Sequence, residues 1–253
     1  LEFRRVLFRS DVLLHALPLF HIHGLFVAAH GALMNGSKMI FLPKFDSGAV
    51  LRHLPRSTVF MGVPTYYVRL LSDPAFDSHV CASMRLFVSG SAPLLADTFD
   101  EFARRTSHTI LERYGMSETA MLTSNPYEAK RKAGTVGPSL PGVSVRVMNG
   151  DGQPCAANEI GDIQVKGPNV FKGYWQMPEK TAEEFTADGY FKTGDVGRFD
   201  HEGYLSIVGR SKDLIISGGY NVYPKEIESV IDEMPGVLES ARSEEHTSEL
   251  QSR

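Results

Sequence analysis

The sequence is poor in cysteine, has no basic run and contains no long apolar stretch, and each of these absences narrows the functions open to it. Only Cys81 and Cys155 occur, far apart and without metal-ligand spacing. That argues against a disulfide framework and fits a reducing compartment, so the expected location is cytoplasmic. The formal charge is −4 with no basic cluster, which argues against nucleic acid or an anionic membrane surface as the main partner. No apolar run reaches the roughly 18 residues of a membrane span. No GxGxxG follows an expected strand, so a doubly wound redox domain ranks low. Internal repeats and low-complexity segments are also missing. What is present is 253 residues with 42% hydrophobic content, enough for one large or two small domains with a substantial core.

The two ends read as foreign to the protein. Residues 1–10, LEFRRVLFRS, can be encoded by DNA whose reverse complement translates to RSEEHTSELQ, which is residues 242–251. Unrelated termini do not share that relation over ten codons, and the DNA has the look of a sequencing adapter read on both strands. Residues 1–10 and 242–253 are therefore taken as non-native scars and kept out of the fold argument. They carry five arginines and four glutamates, which leaves 11–241 at −5. On this reading 11–241 is an internal piece of a longer protein.

From Val12 to about Asn125 strand and helix patterns alternate. Strands are expected at Val12–Leu17, Lys38–Leu42, Thr58–Met61, Arg85–Val88 and from Thr109 to a break at Gly115. Helices are expected at Gly24–Met34, from near Asp46, from Pro64 to Leu71 with proline in the first turn, and at Leu94–Arg105. The last carries Leu94, Leu95, Phe99 and Phe102 at helical spacing. Repeated strand–helix units predict a doubly wound, mainly parallel sheet, in which ligands bind beyond the carboxyl ends of the strands. After Pro141 the texture changes to short strands (Val143–Met148, Ile160–Val165, Tyr190–Thr193, Tyr204–Val208) between glycine-rich turns. The Asn149-Gly150-Asp151-Gly152 turn is a strong hairpin signal. A small β-barrel-like subdomain is expected there, and then a helix from Pro224 to about Glu233 opening an α+β domain.

Several short stretches carry chemistry, each with a plainer reading beside it. Ser117, Glu118 and Thr119 place two hydroxyls and a carboxylate together, suited to Mg²⁺ and phosphate, or to a helix cap with an acid at its positive end. Ser89-Gly90-Ser91-Ala92-Pro93 lies between a strand and a helix start, where free N–H groups can meet an anion or a ring nitrogen. Asp195 sits in YFKTGDVG, where it suits a ribose diol or is an ordinary turn aspartate. Arg210 suits a sugar or phosphate, or is a solvated charge. Trp175 and its aromatic neighbours are most simply core.

Taken in order, HIHGL (21–25), SGSAP (89–93), YGMSET (114–119), KGPNVFKGYW (166–175), YFKTGDVG (190–197) and GRSKDLIISGGYNVYPKEIE (209–228) resemble the adenylate-forming superfamily. That superfamily holds acyl-CoA synthetases, firefly-type luciferases and peptide-synthetase adenylation domains. LPLFHIHGLFVA, MGVPTYYVRLL and FVSGSAPLLADT are most similar to malonyl-CoA synthetases. The resemblance covers essentially all of 11–241. It implies an AMP-binding domain made of an α/β subdomain (11–130) and a β-rich subdomain (131–209), then a hinge and the start of a C-terminal domain (210–241). The implied reaction is a two-step ligation in which a carboxylate attacks the α-phosphate of MgATP and the coenzyme A thiol then displaces AMP.

The resemblance also assigns roles. Thr119 and Glu118 would contact phosphate and Mg²⁺. Gly90, Ser91, Ala92 and Pro93 with Tyr114, Gly115, Met116 and Ser117 would frame the nucleotide, and Asp195 and Arg210 would hold the ribose. Lys212 would be the hinge, and Ser217, Gly218, Gly219 and Tyr220 the loop that enters for the thioester step. His21 would border the acyl pocket, with His23 as a second contact, although a histidine here also suits a core. Arg69 shares one side of its helix with Thr65, a side that faces either solvent or pocket. In a pocket its guanidinium would pair with a distal carboxylate and select malonate or methylmalonate over a fatty tail. The alternatives are a medium- or long-chain acyl-CoA synthetase, with Arg69 in solvent, and a non-catalytic nucleotide-binding relative. The resemblance places a phosphate-gripping loop before residue 11 and a carboxylate-orienting lysine beyond Ala241, both large electrostatic contributors to the first step. The 253-residue chain alone is therefore expected to show no measurable ATP–pyrophosphate exchange.

Overall fold

The computed structural model describes residues 7–213, the backbone of 215–217 and 220–222, and positions 227, 228, 231 and 237. The chain divides into two compact units. One runs to Val143 and takes back Gly167–Phe171; the other comprises Ser144–Lys166 and the chain from Lys172 onward.

The first unit is the expected doubly wound sheet. Its strands are β1 (Val12–His15), β2 (Lys38–Phe41), β3 (Val59–Gly62), β4 (Leu86–Ser89), β5 (Ile110–Met116) and β6 (Ala120–Ser124), in the order β2-β1-β3-β4-β5-β6. The first five pair in parallel and β6 returns antiparallel to β5. The order reverses at β1/β3, the switch point beside which such sheets form their crevices. β3 and β4 are buried at every position, as their continuous apolar runs require of strands covered on both faces.

One face is covered by α2 (Ser47–His53), α3 (Pro64–Leu71) and α4 (Ala96–Thr106). Asp46 caps α2 by accepting the Ala49 N–H at 2.8 Å, and Pro64 opens α3. These helices bury Val50, Tyr67, Leu70, Phe99 and Phe102 against Leu14, Phe60, Phe87 and Ile110 of the sheet. The Phe102 ring lies 4.9 Å from Phe87, 5.5 Å from Tyr67 and 5.7 Å from Phe76. The opposite face is covered by a π-helical segment, His23–Ala29, that runs on into α1 (His30–Asn35). Val27, Ala28 and Ala32 meet Leu13, Val59, Met61, Val88 and Leu111 there. Gly24 permits the close entry of this segment: a Cβ there would stand 2.2 Å from the Pro18 carbonyl oxygen.

The second unit is antiparallel, as its short strands predict. β7 (Ser144–Met148), β8 (Gly161–Lys166), β9 (Phe191–Phe199) and β10 (Leu205–Arg210) form a four-stranded meander in the order β10-β9-β8-β7, an open sheet among the described residues. The 149–152 turn forms, with Asn149 Oδ1 accepting the N–H groups of Asp151 and Gln153. A helix absent from the expectations, α5 (Pro178–Glu184), lies between β8 and β9. Trp175 is not core but 87% exposed, because its segment follows the turn after β8 instead of entering a sheet face. β11 (Ile215–Ser217) and β12 (Tyr220–Val222) pair antiparallel. Most of the helix expected from Pro224 lies outside the described residues, with 227, 228 and 231 helical.

The aromatic cluster sets the stability of the first unit. Phe102→Ala should lower it by about 3–5 kcal/mol. Tyr67→Phe, which loses the buried hydroxyl's hydrogen bond to the Val88 carbonyl (2.6 Å), should lower it by about 1 kcal/mol. Both are read as shifts of the urea midpoint at unchanged slope.

Candidate active site

Ser117, Glu118 and Thr119 form the tip of a hairpin between β5 and β6, not a helix start. The chain does not break at Gly115, because β5 continues to Met116 and turns straight back. A side chain at 115 would put its Cβ 1.9 Å from the Ala120 carbonyl oxygen, so only glycine lets the strands close. The capping alternative for Ser117 is thereby removed. Thr119 is fully buried: its hydroxyl donates to the Ala120 carbonyl (3.2 Å) and accepts the Met116 N–H (3.3 Å). Glu118 is half-buried and Ser117 exposed.

The hairpin tip is held by a segment distant in sequence. Asn169 donates through Nδ2 to the carbonyls of Thr119 (2.7 Å) and Met121 (3.1 Å), and the Phe171 N–H donates to the Glu118 carbonyl (2.7 Å). Asn169 was not singled out from sequence, although it lies inside KGPNVFKGYW. Its pair of carbonyl contacts makes it the residue that fixes where the Glu118 carboxylate starts from.

Ser89–Pro93 leaves the carboxyl end of β4. The Gly90 N–H reaches the Gly62 carbonyl at 3.3 Å, Ser89 and Gly90 are buried, and Ser91 to Pro93 are exposed. Below the loop, Glu112 of β5 stands in register with Ser89. Glu112 is 4% exposed, and its Oε1 and the Ser89 hydroxyl have no partner. Burial pushes the Glu112 carboxyl up to about 8, with the Leu94 N–H pulling the other way. Its neighbour Arg113 is also buried and donates to the Ser124 hydroxyl at 3.1 Å. Two adjacent charged residues inside the apolar run ILERYGM were the available sign of this buried pair.

The two histidines differ sharply. His21 is exposed, whereas His23 is 3% exposed. Burial first, then the positive charge of Arg113, His21 and His15, brings the His23 imidazole down to about 4, so it is neutral near pH 7. Arg69 is exposed on α3, with its guanidinium carbon 4.9 Å from the centre of the Phe45 ring, which stacks on Tyr66.

In the second unit, Asp195 and Arg210 come together. They are register partners on β9 and β10, and Arg210 Nε meets Asp195 Oδ1 at 2.8 Å. Asp195 therefore lies in a strand instead of a tight turn, and Arg210 is paired instead of merely solvated. The turn-like KTGDVG is absorbed as a bulge, with Gly194 at φ +71° while the ladder with β8 shifts register. Lys212 is exposed in a short 3₁₀ turn, Ser211–Asp213. Ser217 and Tyr220 are described as backbone only, and Gly218 and Gly219 lie outside the described residues.

The sequence matches the profile of the family described as AMP-binding enzyme over residues 2–175. The chain belongs to that family. Among AMP-binding enzymes it is 43% identical to malonate–CoA ligase of Arabidopsis thaliana, over 91% of this chain and 41% of the plant protein. The ATP-bound crystal structure of MatB from Rhodopseudomonas palustris superposes with a TM-score of 0.91 at 58% identity, over 95% of this chain and 48% of MatB. A malonyl-CoA ligase in a ternary product complex with methylmalonyl-CoA and AMP gives a TM-score of 0.76 at 41% identity, over 93% of this chain and 52% of that one. The chain thus spans about half the length of the proteins it matches.

Among the buried titratable groups of the first unit of this AMP-binding enzyme, Glu112 and His23 give it a distinctive pH dependence, with His15, also lowered by burial, acting in the same direction as His23. Between its ordinary value of 4.5 and about 8, Glu112 keeps a proton when folded that the unfolded chain releases, so its contribution to stability falls as pH rises. From 6.5 down to about 4, unfolded His23 binds a proton that the folded state refuses, so stability falls as pH drops. Below about pH 6.5 the two slopes oppose each other, and above it Glu112 acts alone. Glu112→Gln should abolish the decline above pH 6.5 and stabilise the fold by about 3 kcal/mol at pH 7, as measured by chemical denaturation from pH 5 to 9.

Proposed function

We propose that this chain is part of an AMP-forming acyl-CoA ligase whose carboxylate substrate is malonate or a close homologue. The carboxylate oxygen bonds to the α-phosphorus of ATP as pyrophosphate leaves. The coenzyme A sulfur then bonds to the acyl carbon as AMP leaves. The observation that carries the substrate choice is Arg69. It holds its charge over an aromatic ring and has no acidic partner among the described residues. A distal carboxylate satisfies such a group, while an alkyl tail desolvates it without compensation. His21, exposed after β1, borders the same acyl group on this reading. The likeness to malonate-activating enzymes supports it.

The other roles are those implied by the resemblance to adenylate-forming enzymes, and the geometry of each cluster is compatible with them. Gly90–Pro93 and Tyr114 frame the adenine, with Gly115, Met116 and Ser117 beside the nucleotide. The Asp195 carboxylate, oriented by Arg210, accepts from the ribose hydroxyls. Among the described residues no three His, Cys, Asp or Glu side chains converge as a metal cage. A Mg²⁺ carried in on phosphate oxygens and water needs only one or two protein carboxylates, and the half-buried Glu118 at the hairpin tip fits that requirement. Lys212 is the hinge residue, and coenzyme A is the second substrate.

The full-length protein, supplied with ATP and coenzyme A, should turn over malonate and leave octanoate essentially unused. Arg69→Ala should lower kcat/KM for malonate about 10- to 100-fold, the worth of a hydrogen-bonded charge pair. Efficient octanoate turnover, or an Arg69→Ala variant with undiminished malonate use, would favour the fatty-acyl reading instead.

A further inference from the structure

The Ser89–Pro93 loop holds a conformation its own residues do not favour. Ser91 has φ +73°, in the left-handed region, where a non-glycine residue loses on the order of 1 kcal/mol or more. Ser91, Ala92 and Pro93 are exposed, so burial of the loop does not offset that strain. The compensation comes from beneath. His23 Nδ1 lies 3.2 Å from the Ser91 hydroxyl, and this is the imidazole's one hydrogen bond to another side chain among the described residues.

The ring also fills the space beside Gly90, where a Cβ would come within 3.3 Å of His23 Cε1 and 3.6 Å of Nδ1. The His23 backbone N–H donates to His21 Nδ1 at 3.4 Å, which engages the ring of His21 and leaves that of His23 to the loop. At 3% exposure, His23 has almost no surface left for a substrate carboxylate. The two histidines of HIHGL thus face different tasks, His21 outward and His23 against the loop.

We infer that His23 is a positioning residue that clamps the 89–93 loop in its strained form, and so governs nucleotide affinity rather than acyl choice. This rests on the adenine-framing role proposed for that loop. His23→Phe keeps the ring volume and loses the hydrogen bond, whereas His23→Asn places an amide where Nδ1 stood. In the full-length protein, His23→Phe should raise KM for ATP and Kd for AMP roughly fivefold, the worth of one net hydrogen bond. It should leave KM for the carboxylate within about twofold, and His23→Asn should recover most of the loss. Amide hydrogen exchange at Gly90, Ser91 and Ala92 should quicken by a similar factor in His23→Phe.

A rise in carboxylate KM at unchanged ATP KM would make His23 a substrate contact and overturn the inference, as would unaltered exchange at 90–92. If the unmodified protein neither bound nucleotide nor turned over any carboxylate, the ligase reading would fail, and the exchange comparison would still decide the clamp. Should His23→Phe not fold, Ser91→Ala removes the same bond from an exposed position and must give the same changes.

Discussion

The parallel register of β3, β4 and β5 is the constraint on which the candidate site depends. Gly62 pairs with Ser89, and Ser89 with Glu112. Residues paired across strands share a face of the sheet, so a small residue, a hydroxyl and a carboxyl stand in one row at the strands' carboxyl ends. Two positions earlier, the same row holds Phe60, Phe87 and Ile110 in the aromatic core. A slip of one residue would send the polar row to the other face and bring the aromatic row up with it. The polar end of the sheet is thus specified by the packing of its apolar end.

That end of the first unit also carries several irregularities, although Ser107, Asn158 and Gln176 adopt positive φ elsewhere. Ser91 and Ala120 adopt positive φ, Gly115 admits no side chain, and Glu112 Oε1, the Ser89 hydroxyl and Asn169 Oδ1 lack partners. Each is unfavourable by itself, and such features persist only where well-packed surroundings over-determine them. The interlocked Tyr67, Phe76, Phe87 and Phe102 rings supply that packing. Strain and unpaired polar groups are gathered where ligands of doubly wound sheets bind, and the remainder of the sheet is regular.

Much of this arrangement could be read from the residues, for identifiable reasons. β3, β4, α3 and α4 announce themselves through uninterrupted apolar runs, a helix-opening proline and helical spacing, all local signals. β6 does not, because the return of AMLTS against β5 depends on the bare backbone of Gly115 and on Asn169, 50 residues away. Asp195 looked like a turn residue because glycine-rich KTGDVG also suits a bulge, and only the pairing with β8 and β10 separates the two. Trp175 looked like core because aromatic clusters usually are. The motif residues could be named in advance, and the place of Glu112 inside the apolar run ILERYGM hints at its burial, but the opposite exposures of His21 and His23 are tertiary facts with no local mark.

The segment Gly167–Phe171 belongs to the first unit, although the chain on both sides of it belongs to the second. Its Asn169 supplies hydrogen bonds to two main-chain oxygens of the hairpin, those of Thr119 and Met121, from about 50 residues away in the sequence. The boundary at Val143 is therefore no place to divide the gene. A protein ending there would retain every strand of the parallel sheet and lose the stitch that fastens its most chemically loaded corner.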